Sequence, residues 1–339
     1  MYTRVLIFLY IVDYIMCCSK FKNRIIKKSG RSHNMEAEKL DEKKIFDPNN
    51  NANEALERTL AMIDRLGLNK NLMELETLGY TTVKGVLNED KIKRTKKAIL
   101  DRAEKTSGKK IDLNTATEKD FEGMTYLHYM LYDDVIFEEV MMEEKPLALI
   151  TYLLGESCHL SSIGCHFKGI GEEGVVPLHS DAGNGVPSPL PSYSLVANVN
   201  YALTPYSKEA GALAMVPYSH TRSRQPTVNE MMLSGDQANP EAVSMDLEPG
   251  DAVVWHGNSW HGSFPRQIPG IRMNLAVFFA RHFVVPQELH RNSVPQEILD
   301  RNANNARFHR LLGSKQAYGW QSEGPNYEIM AEGPKGLYD

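Results

Sequence analysis

From Cys158 onward the chain is cut into short apolar runs by clusters of Gly, Pro and Asn, and this punctuation constrains the fold more than any other feature. The runs are His159–Phe167, Val175–His179, Tyr193–Leu203, Ala212–Pro217, Val243–Leu247, Ala252–His256 and Ile271–Val285. Runs of this length at this spacing predict about seven or eight strands of a sandwich or jelly roll. Pro249-Gly250-Asp251 marks a turn between two of them. The stretch Thr227–Ala242 is long for a hairpin loop and is expected to form part of a lid.

Upstream the period changes. Ala55, Leu56, Leu60, Met62, Ile63 and Leu66 recur at helical spacing until Gly67. Tyr80–Val86 alternates as a strand, and Asn88 is placed to cap a basic amphipathic helix reaching about Lys105. Phe121–Leu154 is helical again, with Leu147, Leu149, Ile150, Tyr152 and Leu153 as its apolar part and Gly155 as its end. Ser293–Leu312 predicts a closing helix, followed by a loose tail over 313–339. The expected architecture is mainly β with a helical N-terminal part: one domain over 52–312, whose cupin-like jelly roll (about 157–285) packs against helices.

The first 34 residues stand apart. Val5–Ser19 is apolar except for Asp13 and is followed by Lys20, Lys22, Arg24, Lys27, Lys28 and Arg31. It is shorter than the ~20 residues a spanning helix needs, and Asp13 would add roughly 2.5–3.5 kcal/mol to insertion. No stable membrane span is therefore expected in the body of the chain or here. A signal or organelle-targeting segment fits, as does a non-native leader if translation starts at Met35, which would leave the protein cytoplasmic. Residues 35–51 are charged and Asn-rich and predict a linker. A net charge of -5 excludes the electrostatic footprint of a nucleic-acid binder. Of the four cysteines, only Cys158 and Cys165 lie in the body, too few for a disulfide framework. Nothing in the sequence fixes the oligomeric state.

Chemistry concentrates in four residues. His179 and Asp181 sit two apart at the end of a strand, so both side chains share a face. His261 follows the run Asp251–His256, and Arg272 enters the last long strand. Two imidazoles and one carboxylate form the set that holds Fe(II) on one face and leaves the opposite positions open. An arginine entering a barrel strand is costly to bury without an anion, which suggests a carboxylate-bearing co-substrate, a buried structural ion pair being the alternative. His256 could compete with His261 as a ligand. On the first strand, Gly164, His166 and Lys168 alternate to one face, either to hold an anion or as a solvated edge. Asn198 and Asn200 place amides on one strand face, Asn198 being the better placed to touch a co-substrate. Arg222 and Arg224 line the mouth or are ordinary surface arginines. Trp255, Trp260 and Phe264 are expected in the core.

From Glu74 to Phe283 the chain resembles the phytanoyl-CoA dioxygenase family of Fe(II)/2-oxoglutarate oxygenases. The resemblance rests on His179-Ser180-Asp181, Gly211–His220, Pro249-Gly250-Asp251, His261-Gly262-Ser263 and Arg272. The family's Pro-Gly-Ser-His is here Pro217-Tyr218-Ser219-His220, a change in a turn. The resemblance implies a double-stranded β-helix and His179, Asp181 and His261 as catalytic iron ligands. It further implies Arg272 gripping the far carboxylate of 2-oxoglutarate, with O2 as the second co-substrate. It favours His261 over His256, and the ligand Asp181 argues against halogenation.

Hydroxylation is the default outcome, with desaturation and oxidative ring closure using the same oxidant. His166, Lys168, Arg222 and Arg224 suggest a small anionic substrate, and the lack of a basic run in the body favours a carboxylic or amino-acid-derived metabolite of specialised biosynthesis. An acyl-CoA 2-hydroxylase is the alternative within the family. Outside it stand a non-catalytic metal-binding cupin, which needs no Arg272, and a zinc hydrolase, for which no general base stands out.

Overall fold

Local signals set the helical part. In this computed structural model residues 52–121, 126–171 and 175–313 are described, with short pieces between 320 and 338; the leader 1–34 and linker 35–51 lie outside the described residues. Helix α1 (Ala52–Arg65) buries Ala55, Thr59 and Ile63 at a spacing of one turn. It is followed by Gly67, whose φ of +69° lies in the left-handed region that favours glycine. Helix α2 (Asn69–Leu78) has no counterpart in the sequence expectations. Leu72, Leu75 and Leu78 recur three apart on its packed side, a short apolar stripe that the sequence expectations missed. It stops at Gly79, where φ is +86° and a β-carbon would come within 2.5 Å of His220 and Ser259.

Strand β1 (Tyr80–Val83) ends before the expected Val86 because the chain turns at Gly85. Helix α3 (Glu89–Ser107) starts where predicted, the Asn88 side chain accepting from the Lys91 amide at 2.9 Å. The Phe121–Leu154 stretch is less uniform than its pattern suggests. It holds the short strand β2 (Tyr126–Leu127) and then α4 (Val135–Met141) and α5 (Glu144–Leu154). The Asp134 side chain caps α4.

Eight further strands follow: β3 (His159–Lys168), β4 (Val176–His179), β5 (Val196–Ala202), β6 (Leu213–Met215), β7 (Val243–Ser244), β8 (Ala252–His256), β9 (His261–Ser263) and β10 (Arg272–Ala280). They form two antiparallel sheets, β1-β8-β5-β10-β3-β2 and β4-β9-β6-β7. Alternation gives the larger sheet two faces. Ile163, Cys165, Phe167, Val199, Tyr201, Val254, Leu275, Val277 and Phe279 enter one apolar core with α1 and α3–α5. The opposite face carries Lys168, Asn198, Asn200, Arg272 and Asn274 toward the smaller sheet: Lys168 Nζ reaches Ser263 Oγ of β9 at 2.8 Å. This is the expected double-stranded β-helix with helices on one side.

Two expectations change. Thr227–Ala242 is tied down: Leu178 donates to the Met231 carbonyl at 2.9 Å, Asn239 Nδ2 to the Glu230 carbonyl, and Leu233 is buried in an apolar cluster with Leu178 and Trp260. It extends the edge of β4 instead of hanging over the site as a lid. The closing helix is three pieces, α6 (His290–Ser293), α7 (Gln296–Arg301) and α8 (Ala306–Leu311). Pro295 cannot continue the first, and Asn305 caps the third. Within the tail, the Leu337 and Tyr338 carbonyls accept from Arg281 and from the Glu156 amide. No helix of the described residues is long and apolar enough to cross a membrane.

Candidate metal centre and co-substrate site

His179 ends β4, Asp181 opens the turn after it, and His261 begins β9, which pairs with β4 so that His179 and His261 are register partners. The fold therefore brings residues far apart in sequence side by side. Each imidazole Nε2 stands 3.4 Å from one oxygen of Asp181, His179 facing Oδ1 and His261 facing Oδ2. One ligand atom from each residue lies within 4.8 Å of the others. The backbone orients both rings: His179 Nδ1 is 2.9 Å from the Pro177 carbonyl and His261 Nδ1 is 3.1 Å from that of Ser259. A carbonyl can only accept, so both protons sit on Nδ1 and both Nε2 lone pairs face the shared space. That donor set fits a divalent first-row metal such as Fe(II).

Charge follows the same geometry. Burial opposes ionisation of Asp181, but His261 and His179 hold its carboxyl below the usual range. Burial pushes His261 down to about 4, with Asp181 partly offsetting it. His179 is drawn down by burial and up, on balance, by Asp181. Asn198, placed by β5, donates to Asp181 Oδ2 at 2.7 Å. It thus supports the same oxygen that faces His261, and its contact with the co-substrate gains no direct support.

At the other end of the barrel interior Arg272 and Lys168 are register partners on β10 and β3. Both are nearly fully buried. Arg272 donates to the Gly211 carbonyl at 2.9 Å and lies over the Tyr206 ring, while its Nε has no hydrogen-bond partner among the described residues. No carboxylate of the described residues pairs with it, so a structural ion pair does not account for its burial. A buried guanidinium with an open donor fits the far carboxylate of 2-oxoglutarate. Lys168 is no solvated edge residue, since β3 lies between β10 and β2.

His166 is exposed, its ring 4.3 Å from that of Tyr126. Desolvation first, then the charges of Arg272 and Lys168, push it down to about 4, so near neutral pH it is an uncharged imidazole. His256 is withdrawn from the centre: its Nδ1 accepts from the Asn258 amide at 3.0 Å and its ring neighbours His220. Trp255, Trp260 and Phe264 are buried as expected, but Trp255 also packs 4.8 Å from the His261 ring.

A substrate role for Arg222 and Arg224 gains no direct support. Arg222 pairs with Glu241 at 2.9 Å and Arg224 with Glu230 at 2.7 Å, and both guanidinium groups lie over Trp260. Each guanidinium has a carboxylate partner within the chain. Residues missed by sequence reasoning include Asn274 and Gln225. Asn274 joins Asn200 at 2.9 Å, and its place two residues after Arg272 was a readable sign. Gln225 hydrogen-bonds Ser180 and has no sequence signature.

The family model for phytanoyl-CoA dioxygenase matches residues 75–274. The chain is 31% identical over 106 residues to dioxygenase cdmA of Talaromyces verruculosus, covering 31% of this chain and 33% of that protein. It is 27% identical over 106 residues to dioxygenase FrzG of Cladobotryum sp, covering 31% and 34%. The match thus spans about a third of the length of these curated relatives. HygX from Streptomyces hygroscopicus, solved with nickel and 2-oxoglutarate bound, superposes with a TM-score of 0.52 at 15% identity, covering 64% of this chain and 88% of HygX. That likeness shows a common fold. With the family model spanning more than half of its length, the chain belongs to the phytanoyl-CoA dioxygenase family.

Proposed function

We propose that this protein is an Fe(II)/2-oxoglutarate-dependent dioxygenase that oxidises a C–H bond of a small metabolite. The observation that carries the proposal is the pair of Nδ1–carbonyl contacts, which turns both Nε2 lone pairs toward Asp181. His179, Asp181 and His261 would hold the iron. Arg272 would hold 2-oxoglutarate by its far carboxylate, each such charge-assisted bond contributing roughly 1.5–3 kcal/mol. When bound, iron, 2-oxoglutarate and O2 supply an oxidation in which decarboxylation of the co-substrate is coupled to attack on a substrate C–H bond. The protein's part is to keep Asp181 ionised, to fix both imidazoles and to exclude bulk water from the Lys168–Arg272 end. HygX, which holds nickel and 2-oxoglutarate in its structure, is consistent with this reading.

For the substrate we favour a free carboxylic or amino-acid-derived molecule over an acyl-CoA. Arg222 and Arg224 pair with Glu241 and Glu230 and so offer no spare charge to CoA phosphates. His166 and Tyr126, beside the Lys168–Arg272 pair, are the better candidates for touching it. Anaerobic mixing of the protein with Fe(II) and 2-oxoglutarate should give a weak visible charge-transfer band. A folded protein that gives none, and forms no succinate in air with any of a library of small acids, would overturn the proposal.

A further inference from the structure

Ser180 separates the two candidate ligands His179 and Asp181, and its backbone is gripped from outside the sheet. Gln225 accepts from the Ser180 amide through Oε1 at 2.8 Å and donates to the Ser180 carbonyl through Nε2 at 2.7 Å. The side-chain amide thus imitates a neighbouring strand at the point where β4 has just ended. Gly183 makes room for it: a β-carbon there would lie 2.0 Å from Gln225 Nε2. On its other side Ser180 donates through Oγ to the Gly257 carbonyl at 3.1 Å, and Ala182 donates to the same carbonyl at 3.0 Å.

The segment carrying Gln225 is itself fastened to the other ligand arm. Trp260, immediately before His261, donates through Nε1 to the Arg224 carbonyl at 2.9 Å, and its own amide donates to Ser219 Oγ at 2.7 Å. Arg224 donates to the Gln225 carbonyl at 3.0 Å while pairing with Glu230. Arg222 and Arg224 lie 4.5 and 4.8 Å from the Trp260 ring centroid. The two arginines, unexplained by substrate binding, have a role here.

We propose that Gln225 is a positioning residue for the metal centre: through the Ser180 backbone it fixes His179 and Asp181, and through the Arg224–Trp260 brace it ties them to His261. Gln225 touches none of the three ligand side chains; it acts on the peptide between two of them. A side-chain amide is suited to this because it offers one donor and one acceptor in a plane, as a peptide group does. The inference rests on the metal-site reading above.

The test uses Co(II) alone as probe, titrated without oxygen against a competing chelator. Gln225→Met keeps the packing over Gly183 and loses both hydrogen bonds. It should raise the Co(II) dissociation constant about 10- to 100-fold, the usual effect of losing support behind a metal ligand. Its visible Co(II) spectrum should change, measured on protein shown by circular dichroism to be folded before metal is added. An unchanged affinity and spectrum would overturn the proposal, because a residue that merely stabilises the fold would alter melting and leave binding by the folded protein alone. Should Gln225→Met not fold, Gln225→Glu keeps the acceptor and cannot donate to the Ser180 carbonyl; it should also bind Co(II) more weakly, and wild-type affinity there would count against the proposal. Wild-type protein that binds no Co(II) would instead overturn the metal site itself, and the role of Gln225 with it.

Discussion

Along β10, Met273, Leu275, Val277 and Phe279 point into the helix-covered core, whereas Arg272 and Asn274 point into the barrel. Both sets are almost fully buried, Arg272 at 5% and Phe279 at 1% exposure. What separates them is how their needs are met. The apolar set needs only neighbours, which the helices provide. The polar set needs partners, and the protein provides them for Asn274 but leaves Arg272 Nε without one among the described residues. A buried polar group lacking its partner is costly, so one strand serves stability on one face and binding on the other.

The sharpest way to break this division is at the metal end. His179→Ala or Asp181→Ala should reduce Co(II) binding and succinate formation below detection. The metal-free protein should melt near the wild-type temperature, since neither residue belongs to an apolar core cluster. A large loss of melting temperature in His179→Ala would show that the barrel face also carries the fold. The opposite face should behave inversely. Phe279→Ala empties a fully buried site and should cost about 3–5 kcal/mol in denaturant unfolding, with Co(II) affinity of the folded fraction retained.

Arg272→Ala comes next in size. Loss of even one charge-assisted bond, about 1.5–3 kcal/mol, should raise the 2-oxoglutarate requirement by roughly 10- to 150-fold. Stability should be unchanged or improved, because a buried cation without an anion is removed. An unchanged 2-oxoglutarate requirement with lower stability would place Arg272 among the structural residues.

The strands, the helix-facing core and the His179–Asp181–His261–Arg272 set were legible in the sequence because each leaves a periodic or motif-level trace. Alternation marked β3, β5 and β10 and put Asn198 and Asn200 on one face. What the sequence did not disclose depends on contacts between distant segments. Nothing near Asn198 says that its amide meets Asp181, or near Arg222 and Arg224 that Glu241 and Glu230 neutralise them. Gln225 is the extreme case, a lone amide in a loop whose partner lies 45 positions earlier. Helix α2 is the exception, since its Leu72, Leu75 and Leu78 recur at helical spacing and were legible in the sequence.

His256 and His261, five residues apart, carry the comparison to its finest scale. Both are buried, and burial is the main cause lowering each, to about 3 and about 4. His261 faces Asp181, while His256 sits where its Nδ1 accepts a backbone amide and, among the described residues, no carboxylate pairs with it. His256 therefore stays neutral in the folded protein at pH values where the unfolded chain, with a pKa near 6.5, takes up a proton. A folded-state value below the unfolded one means that the unfolded form binds more protons in the interval between them, so stability falls as pH drops from about 6.5 toward about 3. Near pH 5.5 the contribution is about 1 kcal/mol, the smallest effect considered. Unfolding measured between pH 7 and 5, above the range where most carboxylates titrate, should show a shallower decline for His256→Gln than for wild type. Equal slopes would mean that the His256 ring gains a proton without unfolding, and that the sheet end beside His220 is more open to water than its packing implies.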